Sequence, residues 1–273
     1  MVQLKRSPIR YQVSDGVTLL HHITKENAPL EFIEAQMYGL AEGGKIELEL
    51  RSHELCVVAL TGKYTITDGE HRFTHVGTRS SVFEKVPTDS VYVPVGKKVS
   101  ITCEQQGKVL LAYAPTEDRT RQTTLIPAEA NRIEARGKYH NQRLVHNILD
   151  DQSPIAEKLL VVEVYTDTAN WSSYPPHKHD QDDLPKESFL EETYYHEINP
   201  RQGYVMQRVY TDDRLLDETM AVYDEEMVIV PKGYHPVGVP DGYESYYMNI
   251  MAGPKKIWKF NNDKDHEWII ERP

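Results

Sequence analysis

Apolar and polar positions alternate along much of this chain with a period of two, the spacing of a half-buried strand rather than of a helix. Phe32-Ile-Glu-Ala-Gln-Met-Tyr38 and Lys45-Ile-Glu-Leu-Glu-Leu-Arg51 both show it, the second more cleanly. Leu55–Leu60 is a continuous apolar run closed by the turn Thr61-Gly62-Lys63, and Tyr64–Thr67 leads into the hairpin signal Asp68-Gly69. Val91–Gly96 and Lys108–Tyr113 complete a first set. Between about Pro115 and Gly137 the chain turns polar and reads as a linker, with one short helix expected near Pro127–Ile133. Strand patterning resumes at Arg143–Ile148, Lys158–Tyr165, Thr193–Ile198, Gly203–Tyr210, Glu226–Val230 and Tyr246–Met251. Short strands, Gly and Asp turns and no long 3.6-period segments predict an all-β fold of antiparallel barrels or sandwiches.

A repeat underlies the pattern. Val91-Tyr-Val-Pro-Val-Gly-Lys-Lys98 aligns with Val228-Ile-Val-Pro-Lys-Gly-Tyr-His235, with Pro94 under Pro231, an offset of 137 residues. Two copies of one β-barrel unit follow, with domains expected at 1–120 and 121–273.

Composition narrows the function classes. A net charge of −11 argues against an electrostatic grip on nucleic acid or an anionic membrane. An anionic substrate would need local cations in its pocket. Two cysteines, Cys56 and Cys103, lie far apart without metal spacing, which fits a reducing cytosol. Neither a signal-peptide pattern nor an apolar run of membrane-spanning length is visible, so a soluble cytoplasmic protein is expected.

The chemistry concentrates in the second copy. Tyr174-Pro-Pro-His-Lys-His-Asp180 places His177 and His179 at i and i+2, on one face of an extended strand. Glu191-Glu192 and then Pro231-Lys-Gly-Tyr-His235 follow. Three imidazoles and one carboxylate converging from neighbouring strands would hold a divalent ion and leave positions open for substrate or water. H-x-H, a Glu entering the next strand and P-x-G-x-H together form the cupin signature, so the fold expected is a bicupin. Glu192 shares its face with Tyr194 and His196, and Glu191 lies on the other; alternation alone leaves either as the ligand. Asp180–Glu191 is an insert, either a lid or a solvated excursion. In the first copy the same offset puts Leu40–Glu47 under the H-x-H and Lys98 under His235, so one metal ion per chain is expected, in the second half.

Asn170-Trp-Ser-Ser-Tyr-Pro-Pro-His-Lys-His-Asp180, the insert and Glu-Glu-Thr-Tyr-Tyr195 resemble the 5-deoxyglucuronate isomerase family of inositol catabolism. Arg136-Gly137, Arg143–Ile148, Leu159–Glu163 and Val230–Val237 add to the resemblance, which is dense from about Arg136 to Pro254. The segment Tyr165–Asn170 departs from the family's Pro/Gly-rich turn. The resemblance implies a bicupin with metal in the second cupin only. The implied reaction is an aldose–ketose isomerisation of 5-deoxy-glucuronate to 2-deoxy-5-keto-gluconate through a metal-stabilised enediolate. Zn or Mn would serve, because no redox step is needed. The metal ligands would be His177, His179, Glu192 and His235. Tyr194 is the metal-side tyrosine by parity, Arg208 and Arg143 are candidates for the substrate carboxylate, and Tyr247 is a candidate pocket residue. Lys178, between two inward ligands, is expected on the outer face. Rival readings are the related pectin-pathway 5-keto-4-deoxyuronate ketol-isomerase, an Fe(II) cupin dioxygenase and a non-catalytic sugar-binding bicupin. A homodimer is expected only because bicupins often pair sheet edges.

Overall fold

A computed structural model describes residues 3–272, and they are nearly all β. Two compact units emerge. One comprises residues 8–132 with 147–161; the other comprises the residues up to Ser7 with 133–146 and Val162 onward. The sequence suggested a single division near residue 120, whereas the units interleave along the chain.

Each unit follows the same plan. In the first, a seven-stranded antiparallel sheet has the order Thr124–Ile126, Ser90–Val93, His53–Ala59, Gly107–Pro115, Glu34–Leu40, Val17–Ile23, Tyr11–Ser14. A four-stranded sheet runs Lys45–Glu49, Lys98–Gln105, Lys63–Thr67, Arg72–Val76. The second unit repeats both orders. Lys5–Arg6, Met227–Val230, Glu191–Asn199, Glu244–Ala252, Leu160–Thr166, Arg143–Leu149 and Arg132–Arg136 form the large sheet. Trp171–Ser172, Val237–Gly238, Tyr204–Tyr210 and Asp217–Tyr223 form the small one. The expected all-β tandem barrel architecture is what the chain adopts.

Alternation fixes which side chains turn inward. Lys98–Gln105 buries Val99, Ile101 and Cys103 while Lys98 and Gln105 are exposed. Leu50, Leu55, Val57, Tyr64, Val93, Val99 and Leu111 belong to one buried apolar cluster that fills the first barrel. Lys98 therefore occupies no ligand position; it sits outside, opposite Glu49. The constant offset also misplaced the counterpart of the H-x-H. Trp171–Ser172 holds the place in its sheet that Lys45–Glu49 holds in the other, so the first-unit counterpart follows Glu49, at the buried Leu50.

Two local expectations differ. Pro127–Ile133 contains only a 3-10 turn, Ala128–Ala130, before the strand Arg132–Arg136 begins. The polar stretch around it is tied down: Ala128 N–H donates to Asp89 Oδ1 at 2.8 Å, and Asn131 Nδ2 donates to Thr88 O at 3.1 Å. Among the described residues no helix is long and apolar enough to cross a membrane.

Candidate metal centre and its pocket

Three segments of the second unit meet at one end of the barrel. His177–Lys178 is a short strand paired with Asn261–Asn262, so neighbouring side chains leave opposite faces. His177 and His179 turn inward with His235, and ring nitrogens of the three lie within 4.8 Å of one another. Glu192 Oε2 lies 3.0 Å from His179 Nε2 and 3.0 Å from His235 Nε2. Glu192 is thus the carboxylate of the cluster, and Glu191 faces the other way. His179, His235 and Glu192 are buried and His177 is half-buried.

Backbone carbonyls set the imidazole tautomers. His179 Nδ1 lies 2.9 Å from Leu190 O, and His235 Nδ1 lies 2.8 Å from Gly233 O. A carbonyl can only accept, so each Nδ1 carries a proton and each Nε2 is the atom turned toward the cluster. His235 Nε2, although 3.0 Å from Glu192, makes no hydrogen bond and has no other partner. His179 Nε2 donates to Glu192 Oε2 at 3.0 Å, so a proton stands between them; once it is released, the nitrogens and the carboxylate could hold a cation in its place. The three nitrogens and one oxygen are the donor set that imidazole-binding divalent ions take.

The titration of the cluster follows from the same contacts. Burial, reinforced by His235 and His179, holds the pKa of His177 well below the usual histidine value. Burial works against charging His179 too, but the hydrogen-bonded Glu192 outweighs it and raises that pKa. Glu192 is held below the usual carboxylate range because His235 and His179 together overcome the penalty of its burial.

Gly233 supplies the bend that delivers His235. It sits at φ +92°, and a Cβ there would press on Tyr210 O. Its N–H donates to Asp180 Oδ2 at 2.8 Å, and Asp180 Oδ1 accepts from Lys178 Nζ at 2.8 Å. Lys178 points away from the cluster, as alternation requires. It is not a solvated lysine, however: it is 3% exposed, with Asp212 at 3.0 Å and Glu187 at 3.6 Å. The insert is a hairpin, Asp180–Asp183 against Glu187–Phe189, fastened by Ser188 N–H to Lys259 O at 2.8 Å.

Tyr194 lies on the Glu192 face. Its hydroxyl is 3.0 Å from Ser173 Oγ, and its ring is 4.8 Å from Tyr247 and 5.9 Å from His235. Burial beside Glu192 pushes the Tyr194 phenol well above its ordinary pKa, and burial raises Tyr247 as well. Both stay protonated, so they are hydrogen-bond donors and not bases. Below them His196 Nε2 is 3.0 Å from Gln207 Oε1.

A cavity of about 380 Å³ opens beside His177, lined also by Arg143, Tyr174, Phe260 and Asn262. Arg143 is half-buried, and its Nη1 donates to Asn141 O at 2.9 Å and more weakly to Tyr174 O at 3.5 Å. Arg208 is not brought to this cavity. Val205, Gln207 and Val209 turn inward on its strand, so Arg208 faces out and forms a double hydrogen bond to Asp217 at 2.7 Å. Ser173 and Phe260 were not foreseen. Phe260, 4.6 Å from the His177 ring, is one of a few apolar residues (with Trp258 and Trp268) in an otherwise polar stretch, which was the available signal.

The family model described as KduI/IolB matches residues 8–269. The chain belongs to the KduI/IolB family. A Bacillus licheniformis member of similar sequence, named 5-deoxy-glucuronate isomerase, is 59% identical over 272 residues, covering 100% of both chains. An IolB-like protein from Salmonella typhimurium is similar in structure, with a TM-score of 0.93 and 41% identity over 98% of this chain and 99% of that one. A formate complex of Lactobacillus farciminis oxalate decarboxylase shares the fold at a TM-score of 0.67, with 12% identity over 100% of this chain and 91% of the other.

Proposed function

We propose that this KduI/IolB protein is an aldose–ketose isomerase that converts 5-deoxy-glucuronate to 2-deoxy-5-keto-gluconate in inositol catabolism. The family match and the full-length 59% identity to a 5-deoxy-glucuronate isomerase support it. The observation that carries the chemistry is the convergence of His179 Nε2 and His235 Nε2 on one Glu192 oxygen, each at 3.0 Å, with a His177 ring nitrogen alongside, an arrangement suited to a divalent ion. His177, His179, Glu192 and His235 would hold that ion, with Zn or Mn suited because no electron is transferred. When bound, it supplies a Lewis acid that spreads the negative charge developing on the two substrate oxygens, a contribution of several kcal/mol.

The chain's own residues do the rest. Arg143 holds the substrate carboxylate by a charge-assisted hydrogen bond, with a guanidinium that has no carboxylate partner among the described residues. The protonated phenols of Tyr194 and Tyr247 donate toward developing oxyanions and lose nothing to solvent reorganisation in their buried setting. Phe260 against His177 keeps water off one side of the ring.

The test is to supply 5-deoxy-glucuronate and, separately, the pectin-derived 5-keto-4-deoxyuronate to metal-loaded protein under anaerobic conditions in deuterated water. Formation of the new ketone from the first substrate by NMR is the expected result. Turnover of the second alone assigns the chain to the pectin reaction, and activity only on admitting oxygen overturns the isomerase.

A further inference from the structure

The cavity beside His177 carries more positive charge than Arg143 alone. Lys138 and Arg272 also line it, and no Asp or Glu is among its lining residues, in a protein of net charge −11. Arg272 follows the helical turn Trp268–Glu271, whose Ile269 and Ile270 form part of the same wall. Its Nη2 is buried and has no hydrogen-bond partner among the described residues. The guanidinium carbon lies 4.6 Å from the centroid of the Tyr139 ring. Tyr139 itself sits at φ +54°, a strained conformation for an aromatic residue of the kind that gathers at binding sites.

A buried guanidinium N–H with nothing to donate to is costly unless something else fills the place. We infer that Arg272 is a second, specificity-determining cation for this site, which together with Arg143 reads the carboxylate of the uronate in the cavity that both line. This rests on the isomerase reading for the identity of the ligand, and on the cavity for its charge. Arg143 is electrostatically coupled to His177, Tyr194 and Tyr247 and so sits beside the cluster, whereas Arg272 belongs to the Tyr139 side. A six-carbon acid with its reacting carbons at the cluster places its carboxylate in the cavity that both guanidinium groups line. A neutral sugar, ending in an alcohol, leaves both guanidinium groups unanswered, so the pocket selects acids over neutral aldoses.

Calorimetric titration of metal-loaded protein with D-glucuronate and with D-glucose as probes tests it, beside steady-state kinetics on 5-deoxy-glucuronate. The wild type should prefer glucuronate. Arg272→Gln should lose about 10–100-fold in glucuronate affinity, the worth of a charge-assisted hydrogen bond, with glucose binding and metal content unchanged. Arg272→Lys, keeping the charge without the fork, should recover part of the loss. Glucuronate affinity within about twofold of wild type in Arg272→Gln, or equal loss for both sugars, overturns the inference. Arg272-dependent glucuronate binding without any turnover of 5-deoxy-glucuronate leaves the inference standing and removes the isomerase reading. Normal turnover with an unchanged KM in Arg272→Gln does the reverse.

Discussion

In the second barrel the strand Glu191–Asn199 turns Glu192, Tyr194 and His196 toward the interior; in the first, His53–Ala59 turns Leu55, Val57 and Ala59 the same way. The registers match residue for residue. Glu192 lies opposite Val230 as Leu55 lies opposite Val93, and Tyr194 opposite Val228 as Val57 opposite Val91. His196 N–H donates to Glu226 O as Ala59 N–H donates to Asp89 O. One backbone plan therefore accepts either hydrocarbon or a polar site. At these three positions the hydrocarbon version has only apolar side chains to bury. The polar version must satisfy each buried group separately, through Leu190 O, Gly233 O, Ser173 and Gln207, and it still leaves a charge imbalance for a cation to settle. The difference teaches where stability and chemistry are separated in this chain.

The comparison breaks most visibly at the ligands. His179→Ala or His235→Ala should lower bound metal from about one equivalent per chain toward none, and reduce kcat/KM at least about a thousandfold, because several kcal/mol of transition-state stabilisation leave with the ion. Elemental analysis giving about two equivalents per chain would erase the contrast between the barrels. Leu55→Ala should act in the opposite sense: a loss of about 2–5 kcal/mol of stability in denaturant titration, with metal content per folded chain unchanged.

His196 sharpens the comparison by pH. Burial, only partly opposed by Gln207, lowers its pKa from 6.5 to about 4. The unfolded chain thus binds this proton more readily than the folded one. The stability contributed by neutral His196 is complete above pH about 6.5 and is lost as the pH falls toward 4, about 3 kcal/mol in all. Replacing His196 with Gln should flatten the pH dependence of unfolding over that window. Ala59, its counterpart, contributes no such slope.

Arg143→Gln should raise KM for the uronate about 10–100-fold at normal metal content, the worth of one charge-assisted hydrogen bond. Arg208→Ala should do least. Its exposed pair with Asp217 is worth under about 1 kcal/mol, and KM should stay at the wild-type value.

Most of the fold, and the side chains that cluster around Glu192, were legible in the sequence, because period-two patterning and the H-x-H and P-x-G-x-H spacings are local signals. Lys98–Gln105 alternates as plainly as Lys45–Glu49 and was readable too, although Gly96-Lys97-Lys98 disguised its start. The two arginines show what was harder. Val205 and Val209 fix the phase of their strand and turn Arg208 outward, so its exclusion could have been derived. Arg143 and Arg272 come together only through the tertiary path of the residues around Phe260 and Trp268, which no local pattern encodes. The repeat offset failed at the H-x-H because the second copy carries the insert Asp180–Glu191 between the H-x-H and the strand Glu191–Asn199, and a strand order corrects what a constant shift cannot.

The interleaving of the units has a consequence for the order in which the chain is made. Lys5 and Arg6 emerge early in synthesis, yet their places are beside Val228 and Met227, and Lys5 Nζ donates to Ala221 O, 216 positions further on. Glu54 likewise waits for the N–H groups of Glu157, Lys158 and Leu159, each at 2.7–2.8 Å. The first unit is therefore completed only once residues 147–161 have been made, and the second draws on residues from both ends of the chain. A cut near residue 120 would leave Lys5–Arg6 on one fragment and their partners Val228 and Met227 on the other, and would part Glu54 from the three N–H groups that answer its carboxylate.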